Sequence, residues 1–576
     1  MLSFRTVYDI VKAATFTASL TLRHLRDEPA RLPLLALRLL PGPMRRGARR
    51  TGSGLGPLPR AYALWDAGRR TDAEAVVRDA AESAGPRRLA RLTAFAIAVE
   101  RPGLADLLLA RLPEGPRRAA LAHRLSVRTG RTIPVQTPSR WVDASVDRVR
   151  RTPSYQPVNA RVLHIVSNAL PHTNAGYTQR THRIVLGQRA AGLDPHVVTR
   201  VGFPLTKGVL DARTTVEVDG IPYHRLLPWR APAGDAEALA AGLRLAEPLV
   251  RRLRPGVLHA ASDYRNARLA LELGRRFGLP VVYEVRGFLE ESWLSRDPSR
   301  SPDDAFFVAE RERETACMRE ADTVVTLGEA MRAEIVSRGI DPAKVAVVAN
   351  AVDEAFLAPL PDGADLRREL GIGPDDFVVG TTTSCYGYEG LESLVDATAL
   401  LRKRGVPAHA LVVGDGPELG ALRERAAAAG LNGYAHFPGR VPAEQVRVHH
   451  AALDVFAVPR RDDRVCRLVT PLKPVEAMAS GLPVVASDLL ALSEIVKPGV
   501  TGELIPAGDS ETLSNCLERL FYSPDVREAY GLAARESVGA HRTWRAAAYI
   551  YIDVYTTVNR GLSEPGHTSW TPATQN

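Results

Sequence analysis

The stretch Val458-Pro-Arg-Arg-Asp-Asp-Arg-Val-Cys-Arg-Leu-Val-Thr-Pro-Leu-Lys-Pro-Val-Glu-Ala-Met-Ala-Ser-Gly-Leu-Pro-Val-Val-Ala-Ser-Asp488 reads as strand, basic loop, short helix and strand. Leu453 to Val458 is an apolar run that Pro459 ends. Pro474 suits the first helical position, where its missing N–H costs little, and Gly481 suits the residue just past the helix end. Leu482 to Ala486 then has the unbroken apolar character of a buried strand. A helix N-terminus presents backbone N–H groups and a partial positive charge, which suits an anion. Arg460, Arg461, Arg464, Arg467 and Lys473 gather at this one, and Glu476 falls in its first turn. Cations and amides suit a diphosphate, and a carboxylate accepting two neighbouring hydroxyls suits a ribose. The loop therefore carries the chemistry of a nucleotide-sugar site.

Pro474 to Asp488 resembles the donor-site segment of the retaining GT-B glycosyltransferases of family 4. In that family two glutamates eight positions apart flank the segment, and the second binds the donor ribose. Glu476 matches the second, while Leu468 stands at the place of the first, so the usual sugar-hydroxyl contact is not expected. The resemblance implies that Arg467 and Lys473 carry the phosphates, and that Thr470, Leu472, Ser384 and Gly414 line the donor. In the loop Ser384-Cys-Tyr-Gly-Tyr-Glu-Gly390, family members commonly carry an arginine and a lysine for the diphosphate; here Ser384 and Glu389 stand in those places. The expectation is that arginines of the 459–473 loop replace the lost cations from the other side of the cleft.

Outward from this segment, strand, glycine-bearing loop and helix recur. Arg161 to Ser167, His196 to Arg200, Val257 to Ser262, Val281 to Val285, Thr323 to Leu327 and Lys344 to Ala349 read as strands of a first α/β unit. Phe377 to Thr383 and Leu411 to Val413 open a second. Such alternation implies parallel sheets covered on both faces, with ligands held beyond the carboxyl ends of the strands. The first loop, Asn168 to Tyr177, holds Ala175-Gly176 where the family has small residues, often paired glycines; Gly176, Tyr177, Arg180 and Glu290 are expected on the acceptor side, with His182 a further residue that could line the cleft. Arg286 occupies the strand end where many members carry a histidine facing the sugar. Arginine stays protonated and cannot act as a base, but it can stabilise developing negative charge. Glu284 or Glu290 beside it is the candidate base or ion-pair partner. Asn350-Ala-Val-Asp353 resembles the family's signature where the chain leaves the first domain, and Thr543 to Arg560 reads as a last helix crossing back onto it.

The net charge of the 576-residue chain is +10, and residues 1–60 alone hold 11 Lys/Arg against three Asp/Glu. The rest is near neutral, which argues against a nucleic-acid groove. Residues 1–50 mix apolar residues with arginine at helical spacing, a composition suited to an anionic membrane surface. Thr51 to Pro59 reads as a break, Arg60 to Gly130 as a helical region of tetratricopeptide-like hairpins, and Arg131 to Val158 as a linker. No run approaches about 18 apolar residues. Four dispersed cysteines fit no metal or disulfide pattern and suit a reducing cytoplasm.

The reading is α/β: a GT-B fold of two Rossmann-like domains facing a cleft, plus an N-terminal all-α region. The expected units are 1–50, 60–135, an acceptor-side domain 159–355, a donor domain 366–540 and a crossover helix 541–562. The expected activity is retaining transfer of a sugar from a nucleotide-diphosphate sugar to a glycan or lipid-linked acceptor hydroxyl, without metal or other cofactor, in the cytoplasm at the inner membrane face. A nucleotide-sugar epimerase on the same fold and a non-catalytic nucleotide-sugar-binding scaffold are the alternatives.

Overall fold

A computed structural model describes residues 4–27, 56–129, 155–297 and 300–560, with a few isolated positions between 28 and 55. Most of the basic run at 28–50 and most of the expected linker at 131–158 lie outside the described residues, as do positions 561 and 562 of the expected crossover helix.

The first lobe is built on an eight-stranded sheet. Its strands are β1 (Arg161–Val166), β2 (Asp194–Thr199), β3 (Thr215–Val218), β4 (Ile221–Arg225), β5 (Val257–Ala261), β6 (Val281–Val285), β7 (Thr323–Thr326) and β8 (Val345–Val347). Their order is β3-β4-β2-β1-β5-β6-β7-β8, parallel except for the antiparallel β3–β4 pair. The second lobe has six parallel strands: β9 (Phe377–Thr382), β10 (Ala408–Val413), β11 (Ala435–Gly439), β12 (Val455–Val458), β13 (Val484–Ser487) and β14 (Gly502–Ile505). Their order is β11-β10-β9-β12-β13-β14. Central strands such as β5, β6, β9 and β10 are buried along their whole length, as the continuous apolar runs require when helices cover both faces.

Both orders reverse direction once. In the first sheet the reversal lies between β1 and β5, and in the second between β9 and β12. Loops leaving the strands on either side of such a reversal diverge and leave a crevice, which is where ligands bind in open parallel sheets. The loops concerned are 167–175 and 262–263 in the first lobe, and 383–390 and 459–472 in the second.

Two chain crossings join the lobes, and they hydrogen-bond to each other: Val352 N–H donates to Arg542 O (2.8 Å) and Trp544 N–H to Val352 O (3.1 Å). The returning segment becomes the helix Trp544–Arg560, which buries Trp544, Ala547, Tyr551, Val554, Tyr555 and Val558 at helical spacing against Val162, Ile184, Val257 and Val282 of the first lobe. Gly187 permits this close crossing, because a Cβ there would lie 2.7 Å from Trp544 O.

Five helices between Pro57 and Thr129 form their own core around Leu92, Phe95, Leu104 and Leu108. Their Arg70 lies within electrostatic range of Glu418 and Tyr386 on the second-lobe rim.

Candidate active site

The 459–473 loop follows β12 at the reversal point, and the structure shows where its cations go. Arg460 is buried and meets Glu389 twice, Nε to Oε2 at 3.1 Å and Nη2 to Oε1 at 2.9 Å. Arg461 reaches Glu392 at 2.6 Å. Arg464 crosses to the first lobe, donating to Glu291 (2.6 Å) and Glu334 (2.7 Å). Arg467 turns back onto Asp462 in its own loop. Lys473 pairs with Glu476 one helical turn on, at 3.0 Å. In this structure each of these cations has a carboxylate partner: buried or cross-lobe for Arg460 and Arg464, within the second lobe and partly exposed for Arg461, Arg467 and Lys473. For Arg460 the cause is a reversed polarity: Glu389 stands where a loop cation was expected, and Arg460 on the facing loop neutralises it.

Leu468 is 8% exposed and belongs to the apolar core of the first lobe, together with Tyr283, Phe288 and Val324; Val469 packs against the same cluster. Thr470 is likewise taken up by the first lobe. Its carbonyl accepts from Asn350 Nδ2 (2.9 Å) and its hydroxyl donates to Leu327 O (3.4 Å). This corrects its assignment to the donor sugar. Leu472 packs on the cluster that holds Val348 and Ala351. The segment 464–472 therefore plugs into the opposite lobe, and the helix Lys473–Ala479 begins at the interlobe junction. Glu494 adds a further tie: its carboxylate accepts the N–H groups of Glu329 (2.8 Å) and Ala330 (2.7 Å), capping the helix Glu329–Ser337 of the first lobe. Gly328 leaves it room, since a Cβ there would sit 2.4 Å from Glu494 Oε2.

On the second-lobe rim, Ser384 is exposed. Gly414 has a φ of +148°, and a Cβ on it would fall 1.7 Å from Thr383 O, so this glycine lets the loops after β9 and β10 lie backbone to backbone. Rim contact across the lobes comes from Arg440, whose Nη2 donates to Asn174 O at 2.8 Å.

The first-lobe residues separate into rim and interior. Gly176 and Tyr177 open the helix Gly176–Ala190 and are exposed, with free space above Gly176. Arg180, one turn further, points inward and is buried, which corrects its placement on the acceptor side. Its guanidinium donates to Glu284 Oε1 (2.7 and 2.9 Å), Asn350 Oδ1 (3.0 Å), Val348 O (2.9 Å) and Ala349 O (3.2 Å). His182 is buried as well, held by Tyr223 and Asp219.

Glu284 also accepts from Arg286 Nη2 (2.6 Å), His259 Nε2 (3.1 Å) and the Tyr551 hydroxyl (2.9 Å). Burial alone would raise its carboxyl, but Arg286 and Arg180 hold it well below its ordinary value. A carboxylate this stabilised and this occupied is not a base. From His259 the chain of bonds runs through the Tyr555 hydroxyl and Gln188 to His164. Burial keeps both histidines below their usual range, and His164 is lowered further by His259. Arg286, at the end of this network, donates from Nη1 to Tyr177 O (3.0 Å) and Thr181 Oγ1 (2.6 Å). It fixes the loop that carries Gly176. Glu290 is fully buried, with Arg338 Nη2 2.8 Å from Oε1, so it does not line the acceptor side and its arginine partner is Arg338, not Arg286.

A family model described as Glycosyl transferase 4-like domain matches residues 175–351, and one described as Glycosyl transferases group 1 matches residues 376–523. The chain is 33% identical over 230 residues to the GDP-mannose-dependent alpha-(1-6)-phosphatidylinositol monomannoside mannosyltransferase of Mycolicibacterium smegmatis, a match covering 39% of this chain and 60% of that protein. It is 30% identical over 356 residues to the D-inositol 3-phosphate glycosyltransferase of Actinosynnema mirum, covering 59% of this chain and 82% of that protein. The chain thus matches 60% of the length of the mycobacterial mannosyltransferase and more of the inositol phosphate enzyme. In fold it is similar to sucrose-phosphate synthase from Thermosynechococcus elongatus (TM-score 0.57, 20% identity, 70% of this chain and 100% of that one). It is also similar to HepE of Anabaena in complex with UDP (TM-score 0.53, 19% identity, 69% and 100%).

Proposed function

Because the chain belongs to the family 4 GT-B glycosyltransferases, we propose that it moves a hexosyl group from a nucleotide-diphosphate sugar to an acceptor hydroxyl, retaining the anomeric configuration. The bond from the anomeric carbon to the diphosphate oxygen breaks, the bond to the acceptor oxygen forms, and the acceptor proton passes to the departing diphosphate. That route suits a first lobe whose two candidate bases, Glu284 and Glu290, are buried against arginines. The observation that supports the reading is that the loop leaving β12 at the second-lobe reversal reaches into the first lobe through Arg464 and Thr470, so that the helix opened by Lys473 and Glu476 starts between the lobes.

The pairs made by Arg467 and Lys473 are local and partly exposed, worth little in themselves. Both cations exchange Asp462 or Glu476 for a diphosphate without uncovering a buried charge. Lys473 then meets the leaving group, and Glu476, released, takes the ribose hydroxyls. Arg460 and Arg464, whose partners are buried or lie on the other lobe, stay in place as scaffolding. Catalysis on this account is positional and electrostatic, and it proceeds without a bound metal. A glycan or lipid-linked polyol at the inner face of the cytoplasmic membrane is the proposed acceptor class, supported by relatives whose names specify phosphatidylinositol mannoside and inositol phosphate acceptors.

The test is a thermal-shift screen of nucleotide-sugars, GDP-mannose among them, followed by transfer assays in EDTA. A true donor raises the unfolding midpoint by mass action. Lys473→Met should lower kcat/KM about 10–100-fold, the worth of a charge-assisted hydrogen bond. Unchanged kinetics in that variant, or turnover abolished by EDTA and restored by a divalent metal, would refute this assignment.

A further inference from the structure

The helix Phe4–Asp27 lies on the first lobe in an unusual way. One face is anchored: Phe16 is fully buried with Ala13 among Leu205, Leu227 and Ala231. Ser19 Oγ accepts the Ala231 N–H at 2.9 Å, and Arg23 donates to the carbonyls of Ala231 and Pro232. Gly202 faces the Phe16 ring with no room for a Cβ. The opposite face of such a helix should be polar. Instead Val7 (46% exposed), Ile10 (49%), Val11 (50%) and Leu22 (65%), with Ala14 and Ala18 between them, form an uncharged stripe about 22 Å long. Contiguous apolar surface of this kind marks interaction sites more often than single exposed side chains do.

Its position and its charge specify the partner. The helix rests on loops 200–208 and 226–232, which leave the carboxyl ends of β2 and β4, on the rim where the first-lobe crevice opens. At its N-terminal half an open cavity of about 700 Å³ has a mainly apolar wall, with Tyr8 and Trp229 in it, onto which the cations Lys12, Arg230 and Arg244 and the acid Glu237 also face. Trp229 is 42% exposed and meets Tyr8 edge-on at 5.2 Å. Among the described residues one acid, Glu237, lines the cavity against three cations; it accepts the Ala233 N–H at 2.7 Å, and Asp9 lies within electrostatic range of Lys12. Aromatic rings at the border of an apolar stripe and a cavity holding three cations against one acid match the layering of a bilayer interface: acyl chains, headgroup level, phosphate.

We propose that this helix face docks the chain on a bilayer containing anionic phospholipid, with the apolar stripe in the interfacial layer and a lipid phosphate in the Lys12–Arg230–Arg244 cavity. The docking is independent of the transfer reaction and is read without a donor. It places the crevice rim at the surface where a lipid-linked hydroxyl would be presented.

The experiment is co-sedimentation of the full chain with phosphatidylcholine vesicles, with and without phosphatidylglycerol. The chain should pellet with the anionic vesicles and be released by salt. Ile10→Glu/Val11→Glu should weaken binding by about tenfold or more, since it drives two charges into the interfacial layer. Lys12→Gln and Arg244→Gln should each weaken it about fivefold, the worth of one basic residue near the surface. Near-ultraviolet circular dichroism of the variants should match the parent, because the substituted side chains of the stripe face outward. No binding to anionic vesicles overturns the proposal. So does unchanged binding by the Ile10/Val11 variant, or conversion by that variant of an oligomer to a monomer with vesicle binding intact, which would make the stripe a protein interface.

Discussion

Position 468 separates two readings of the second-lobe loop. If the side chain there faced the donor sugar, Leu468→Glu would restore a sugar contact and tighten donor binding. The structure instead puts Leu468 inside the first lobe, 8% exposed, in the cluster of Tyr283, Phe288 and Val324. The helix Arg464–Leu468 also packs against the helix Leu289–Leu294, which carries Glu290 and Glu291. Leu468→Met keeps the volume and should cost less than about 1.5 kcal/mol. Leu468→Ala loses the transfer term and leaves a cavity, about 2–5 kcal/mol. Leu468→Glu loses the same burial and adds a carboxylate near two others, so it should be the worst of the three. Its penalty should ease at acid pH, where the introduced carboxyl is protonated. At roughly 2–4 °C per kcal/mol for a unit of this size, the alanine variant should unfold roughly 4–20 °C lower. Differential scanning calorimetry at acid and alkaline pH, with a parallel donor titration, reads all of this. A glutamate variant as stable as the parent that also binds donor more tightly refutes the reasoning.

Other perturbations follow from the buried polar groups. Glu284→Gln leaves Arg180 and Arg286 without their carboxylate and should destabilise the first lobe by about 3–5 kcal/mol, whereas Tyr551→Phe, which removes one hydroxyl from the same network, should cost about 1–3 kcal/mol. Denaturation of the two variants side by side checks the ranking, and equal losses would contradict it. Glu314 lies fully buried against the Tyr283 hydroxyl, accepts the Tyr264 N–H at 2.8 Å, and burial pushes its carboxyl up to about 8. Its folded value is above its unfolded one, so the stability it contributes is complete below the unfolded value of 4.5 and is lost as pH rises towards 8. The loss is about 5 kcal/mol at most. Glu314→Gln should flatten the stability profile across that window, and a profile unchanged from the parent would show that Glu314 is ionised in the folded chain.

Much of the fold was legible because it is written in local pattern. Runs such as Val257 to Ala261 and Val281 to Val285 are short, largely apolar and separated by helix-length stretches, which favours buried strands, and they are strands β5 and β6. The hairpin β3–β4 was not read, although Asp219-Gly220 is a turn signal and both residues take positive φ (50° and 76°). Pro222 inside β4 disguised it, as Gly502 did at the start of β14. The site was legible in its residue types and not in its pairings. Arg460 and Glu389 are 71 positions apart and Arg180 and Glu284 are 104 apart, so only the folded topology reveals that these charges neutralise each other. Leu468 likewise reads as a lost carboxylate in sequence, and its burial in the opposite lobe has no local signal at all.

The most direct measurement is a structure of the chain bound to a nucleoside diphosphate. The account predicts the pyrophosphate within hydrogen-bonding distance of Lys473 at the start of its helix, with the Lys473–Glu476 pair opened and the ribose hydroxyls on Glu476. A nucleotide bound elsewhere in the cleft, with that pair still closed at 3.0 Å, would contradict it.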